Sequence, residues 1–265
     1  MSHIAIYTVI TGDYDELHQP QVVVPGAEYF LFTNNAGIVD LCDMHNLCRW
    51  RLTDGCRFCG NIGVWNVILL DTETEISIDI AQNPYLHKII HSNTDIFDIR
   101  YILLSRKVKM LPHKYLDNQY DISIYIDADM LITGDLTELT DGLTVDTTMT
   151  AFRHSSCHSV REEIDDLIRR GVVEKDMAEN QWLRYVEWGF KDNLGITENG
   201  ILIRRHNDPQ VIRLMQLWWS EFQNGCLRDQ ISLMPCLYRL GFEKFIMIDA
   251  NIHNNKWVRI CSHKK

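Results

Sequence analysis

The chain has 265 residues, 46% hydrophobic and 23% charged, which is enough to bury a sizeable core as one large domain. Its formal net charge is -10, and no Lys/Arg-rich run is flanked by aromatics. That argues against a nucleic-acid partner, while a nucleotide diphosphate stays compatible wherever a cation and a few placed basic groups reverse the charge locally. No stretch reaches the roughly 20 apolar residues that span a bilayer. The apolar opening Ile4–Ile10 is strand-length and lacks a basic leader, so the expected compartment is the cytoplasm, with peripheral membrane association left open.

Short β-branched runs alternate with helix-like segments, the pattern of an α/β domain with a mainly parallel sheet. In chain order the predicted strands are Ile4–Ile10, Tyr29–Thr33, Ile122–Ile126, Ile201–Arg204 and Phe245–Ile248. Between residues 35 and 99 the pattern loosens, and the stretch reads as an insertion within a single domain spanning 1–265. Ser159 stands three residues before Glu162, a capping-box spacing, and Gly171 follows Arg169 and Arg170, so a helix is expected over 160–170. Asp208 followed by Pro209 starts another, with Ile212, Met215, Trp219 and Phe222 at helical spacing, ending near Gly225. A helix-like run also leads from Arg228 to Leu240.

Cysteines crowd into the loosened stretch. Cys42, Cys48, Cys56 and Cys59 lie near His45, which reads as reduced thiols in or near an inserted loop, or alternatively as ligands of a structural Zn²⁺.

The chemistry begins where the apolar strand Ile122–Ile126 ends in Asp127-Ala128-Asp129. Ligands of open α/β sheets gather beyond the carboxyl ends of strands, and two hard oxygen ligands there can hold Mn²⁺ or Mg²⁺ against a diphosphate. Capping of a turn by the same aspartates is the competing reading. Arg106 and Lys109 lie upstream, on a helix expected to lead toward that strand, and the combination reads as a metal and phosphate site.

Asp127-Ala128-Asp129 after an apolar strand resembles the DxD motif of GT-A glycosyltransferases, especially the retaining galactosyltransferase and glycogenin-like group, family eight. Arg106 and Lys109, Asn199-Gly200 before an apolar strand, Asp229-Gln230, and His253 with Lys256 follow that group's order, the last in compressed spacing. Over most of the chain the sequence is more similar to the glycosyltransferase-like family first called domain of unknown function 616, which includes plant members linked to mucilage and turgor control. The blocks that carry this resemblance are residues 6–15, 29–34 and 109–113, and Trp218-Trp219-Ser220-Glu221 leading to Arg228-Asp229-Gln230.

The resemblance implies a GT-A, Rossmann-like fold of the nucleotide-diphospho-sugar transferase kind and sugar transfer from a nucleotide sugar. UDP is the expected donor nucleotide, retention the expected outcome, and the acceptor a glycan, lipid-linked saccharide or protein. It implies a cation on Asp127, Asp129 and His253. Donor contacts would come from Thr8, Gly12, Tyr14, Arg106, Lys109, Asp127, Asn199 and Lys256, with Asp229 or Gln230 near the anomeric carbon. The rival functions are a nucleotide-sugar hydrolase or nucleotidyltransferase on the same carboxylates, and a non-catalytic carbohydrate-binding protein on the same fold.

Overall fold

The computed structural model describes residues 2–43, 56–83 and 99–264. In chain order the first elements are β1 (Ile4–Ile10), β2 (Glu28–Thr33), α1 (Ala36–Val39), β3 (Cys56–Ile62), β4 (Trp65–Leu70) and α2 (Thr72–Gln82). Next come α3 (Ile99–Met110), α4 (Pro112–Tyr115), β5 (Ile122–Ile126), β6 (Met130–Ile132), β7 (Met149–Arg153), α5 (Val160–Arg169) and α6 (Lys175–Glu187). The chain closes with β8 (Thr197–Arg204), α7 (Pro209–Gln223), α8 (Gln230–Leu240), β9 (Phe245–Ile248) and β10 (Val258–Ile260).

Eight strands form one sheet in the order β3-β4-β2-β1-β5-β8-β7-β9, and β10 pairs with β6 in a two-stranded ribbon. Neighbours from β4 through β2 and β1 to β5 are parallel, as are β7 and β9, while β3 and β8 run against their neighbours. The sheet is therefore mainly parallel, and both of its faces are buried. Ala5, Tyr7 and Val9 of β1 enter one apolar cluster, together with Leu104 of α3 and Trp218 and Phe222 of α7. Ile4, Ile6 and Ile10 enter a second, which holds Met130 and Ile132 of β6 and Val258 of β10. Because side chains alternate along a strand, a sheet covered on both faces needs near-continuous apolar strands, and the β1 sequence supplies one.

Helix ends follow local chemistry. The Ser159 hydroxyl accepts the Glu162 N–H at 3.1 Å, while Glu162 reaches back one residue further than in the usual box and accepts the His158 N–H at 2.6 Å. Asp208 caps α7 by accepting the N–H groups of Gln210 and Val211, and Gly241, at φ 57°, closes α8 in the left-handed conformation.

Within the stretch read as an insertion, β3 and β4 extend the main sheet, with β4 running parallel to β2. His45 and Cys48 lie outside the described residues. Cys56 packs against the first apolar cluster and Cys59 belongs to the second, so the pleat sends this pair to opposite faces of the sheet. That is a physical obstacle to one ion holding both. No helix among the described residues is long and apolar enough to cross a membrane.

Candidate active site

The site is a cleft of about 360 Å³ beyond the carboxyl ends of β1 and β5. Asp127 and Asp129 leave β5 at its floor. The Asp127 N–H is anchored to the Gly200 carbonyl at 2.8 Å, and a Cβ at Gly200 would stand 2.4 Å from the Met130 side chain and 3.2 Å from Asp127 Oδ2. Glycine is needed there for the close approach of β8 to the aspartate loop.

From the other side α3 brings Arg106 and Lys109. Lys109 is 1% exposed, with Nζ 2.7 Å from Asp229 and 3.4 Å from Asp127. Arg106 lies 3.7 Å from Asp229. Burial opposes the Asp229 charge, but Lys109 and Arg106 outweigh it and hold the carboxyl well below the usual carboxylate range. The opposite holds at the rim, where burial and the neighbouring Asp127 charge raise Asp129 to about 6.

Asp127 also accepts the Tyr125 hydroxyl at 2.6 Å. Beneath the site, the Lys109 carbonyl receives both the Tyr7 hydroxyl at 3.0 Å and the Arg204 guanidinium at 2.9 Å, which fixes the end of α3.

Of the residues expected from the sequence, Tyr14, Arg106, Lys109, Asp127, Asp129, Asn199, Asp229, Gln230 and His253 all line this cleft. Three do not. Thr8 faces a separate small pocket behind the aspartate loop. Gly12 is a packing position, at φ 61°, where a Cβ would stand 2.9 Å from the Tyr101 ring. Lys256 is largely exposed and pairs with Glu138 instead.

Glu198, Arg228, Asp15 and His263 line the cleft without having been expected there. Arg228 directly precedes Asp229 and was legible on that ground. No local signal joins Asp15 to His263, which lie 248 residues apart and approach to 2.7 Å, with the His263 ring 4.5 Å from that of Tyr14 and its Nε2 3.9 Å from Asp129.

The donor set fits a divalent cation. Two carboxylates stand close enough for one to raise the other, and the added positive charge would relieve that repulsion. Asn199 is 1% exposed, and neither its amide nitrogen nor its oxygen has a hydrogen-bond partner. Both amide atoms are thus open to a polar group entering the cleft.

The cleft lies at the carboxyl edge of an open α/β sheet, where proteins of this architecture bind ligands. The chain belongs to the TOD1/MUCI70 glycosyltransferase-like domain family, whose model matches residues 1–263. A comparison with curated proteins returned no match.

Similar solved structures include the bifunctional glycosyltransferase WbbM, at 9% identity and TM-score 0.46, covering 93% of this chain and 39% of that one. Mouse xyloside xylosyltransferase 1 is similar at 10% identity and TM-score 0.44, covering 94% and 85%. The galactosyltransferase LgtC in complex with donor and acceptor sugar analogs is similar at 15% identity and TM-score 0.44, covering 88% and 70%. This chain thus spans well under half the length of WbbM.

Proposed function

We propose that this protein moves a glycosyl group from a nucleotide-diphosphate sugar, with UDP as the nucleotide, to a hydroxyl of a glycan, lipid-linked saccharide or protein. The fold in this reading is the GT-A arrangement. The observation that carries the proposal is the meeting, in one cleft, of the Asp127–Asp129 pair with Arg106, Lys109 and Arg228. That charge pattern suits a diphosphate held with a divalent cation, Mn²⁺ or Mg²⁺.

Asp127, Asp129 and His253 would hold the cation, which when bound supplies charge neutralisation for the departing diphosphate. The chain's own groups do the rest. Tyr14, 42% exposed at the cleft mouth, offers a ring face to the nucleoside. Arg106, Lys109 and Arg228 stabilise negative charge as the bond between the anomeric carbon and the phosphate oxygen breaks and its electron pair leaves with the diphosphate. Lys109 is pre-positioned for this by the Tyr7 and Arg204 contacts to its carbonyl.

Asp229, kept anionic by its two cations, stabilises positive charge developing on the sugar ring, and Gln230 and Asn199 hydrogen-bond its hydroxyls. The acceptor oxygen forms the new bond to the anomeric carbon and passes its proton to the departing diphosphate, whose oxygen carries the electron pair of the broken bond. Retention is the outcome expected from the family-eight resemblance.

The test is calorimetric titration of UDP and GDP, with Mn²⁺, Mg²⁺ or EDTA, into wild type and an Asp127→Ala/Asp129→Ala variant, followed by product analysis with nucleotide sugars. Metal-dependent UDP binding that vanishes in the variant is expected. Absence of nucleotide binding under every metal condition overturns the proposal in favour of a non-catalytic role, and release of free sugar without acceptor transfer would favour hydrolysis.

A further inference from the structure

Glu198 sits where β8 is irregular. Its pairing with β7 runs Ala151 to Leu202 and then Phe152 to Glu198, so residues 199–201 bulge. Bulges re-aim side chains beside functional sites, and here Glu198 and its neighbour Asn199 both reach the cleft although they are adjacent in a strand. The Glu198 side chain is 13% exposed, with Oε1 2.7 Å from His253 Nε2. Its other oxygen is buried and has no partner.

A carboxylate only accepts hydrogen bonds, so in the neutral imidazole Nε2 carries the proton and the ring lone pair lies on Nδ1. Among the described residues Nδ1 has no hydrogen-bond partner, and the ring lines the cleft. Ile252, next in the chain, packs at Gly200, where a Cβ would meet Ile252 Cδ1 at 3.1 Å and Asp127 Oδ2 at 3.2 Å. The turn that carries His253 and the Asp127 carboxylate therefore flank the same glycine.

We propose that Glu198 is a positioning residue for cation binding. By accepting the Nε2 proton it holds His253 in the tautomer whose Nδ1 serves the cation shared with Asp127 and Asp129. The inference rests on the cation-dependent reading of the cleft. Histidine ligands characteristically hand their second N–H to a carboxylate or carbonyl, and loss of that partner weakens metal binding about 10- to 100-fold. The unpartnered Glu198 oxygen agrees, since a cation beyond the imidazole offsets a buried negative charge that has only one hydrogen bond.

The experiment titrates Mn²⁺ into wild type, Glu198→Gln, Glu198→Ala and Asp127→Asn proteins, and records imidazole ¹⁵N shifts of metal-free wild type and Glu198→Ala. Glu198→Ala is expected to weaken Mn²⁺ about 10- to 100-fold. Glu198→Gln, which keeps an acceptor oxygen without the charge, should fall between it and wild type. The ¹⁵N shifts of His253 should move from a single tautomer in wild type to a mixture in Glu198→Ala.

If wild type binds no Mn²⁺, this proposal and the cation-dependent reading fall together. If wild type binds, Asp127→Asn abolishes binding, and both Glu198 variants match wild type, only the role of Glu198 falls. Unchanged Mn²⁺ affinity with slowed transfer to the acceptor would assign the Glu198–His253 pair to the acceptor hydroxyl and equally overturn the proposal. Should Glu198→Ala not fold, the near-isosteric Glu198→Gln carries the comparison.

Discussion

His253 and His154 each approach a largely buried glutamate, yet the two pairs differ in what the ring has left to offer. At the corner where β7 meets α5, His154, Cys157 and Glu163 bring three ligand-type atoms within 4.8 Å of one another, which no other His, Cys, Asp or Glu group among the described residues does. By distance alone this is the better metal site. The His154 Nδ1, however, accepts N–H groups from Ser156 at 3.2 Å and Cys157 at 2.9 Å. The ring proton is thus on Nε2, 3.8 Å from Glu163, and no lone pair is free.

Burial and the Glu163 carboxylate push the Cys157 thiol up to about 12, and it donates to Glu163 at 3.1 Å. Glu163 Oε2 therefore accepts from a thiol that keeps its proton, and the three side chains form a structural contact. At the cleft the glutamate meets Nε2 and leaves Nδ1 without a hydrogen-bond partner among the described residues. Proximity of side chains identifies clusters, but the placement of protons decides which cluster can bind an ion.

The largest effect expected from breaking this contrast is at the buried cation of the cleft. Lys109→Met removes the cation 2.7 Å from Asp229, which is 6% exposed, leaving the more distant Arg106 and Arg228, and should destabilise the protein by about 3–5 kcal/mol in urea unfolding. A loss below 1 kcal/mol would show that Arg106 and Arg228 suffice.

Next comes acid. His113 and His206 have ring nitrogens buried without partners, and burial, with cations nearby, lowers both to about 4. The folded value lies below the unfolded 6.5, so the unfolded chain binds more protons between these limits. Stability is complete above pH 6.5 and lost as pH falls toward 4. His206 alone should contribute on the order of 3 kcal/mol, and half-buried His113 less. Unfolding free energies at pH 7 and pH 4.5 measure this, and a His206→Gln variant should show the shallower pH slope.

The two histidines can then be exchanged as probes. His154→Ala removes an acceptor for two backbone N–H groups and should cost about 1–2 kcal/mol of stability with Mn²⁺ affinity intact. His253→Ala removes the hydrogen bond to the largely buried Glu198 carboxylate and should likewise cost about 1–2 kcal/mol, but weaken Mn²⁺. The smallest effect is a null one, in which Cys157 alkylates slowly at pH 8 and purified protein carries no stoichiometric zinc. Stoichiometric zinc lost in Cys157→Ala would reverse the account of that corner.

Much of the fold was legible in the sequence, and the reasons are local. β1, β5 and β9 have the predicted bounds, because an apolar run between turn residues carries its own signal. The starts of α5 and α7 follow from Ser159 and Asp208, whose caps involve residues two or three positions away. β3, β4, β7 and α6 were not foreseen. The Cys56–Ile62 segment is an edge strand carrying Arg57, Gly60 and Asn61, and its partner in β4 rather than its own composition makes it a strand.

The same division runs through the cleft. The motif around Asp127 and Asp129, the cations of α3 and the Asp229-Gln230 pair could be read as chemistry because each sits in a short, patterned stretch. Their convergence, the exclusion of Lys256, the arrival of His263 and the pairing of Glu198 with His253 across 55 residues could not. Sequence determined which residues carry charge and where strands end, since those depend on neighbours a few positions apart. Only the tertiary structure decided which nitrogen of His253 is paired and which is left open, because its partner carboxylate is brought to it from 55 residues away.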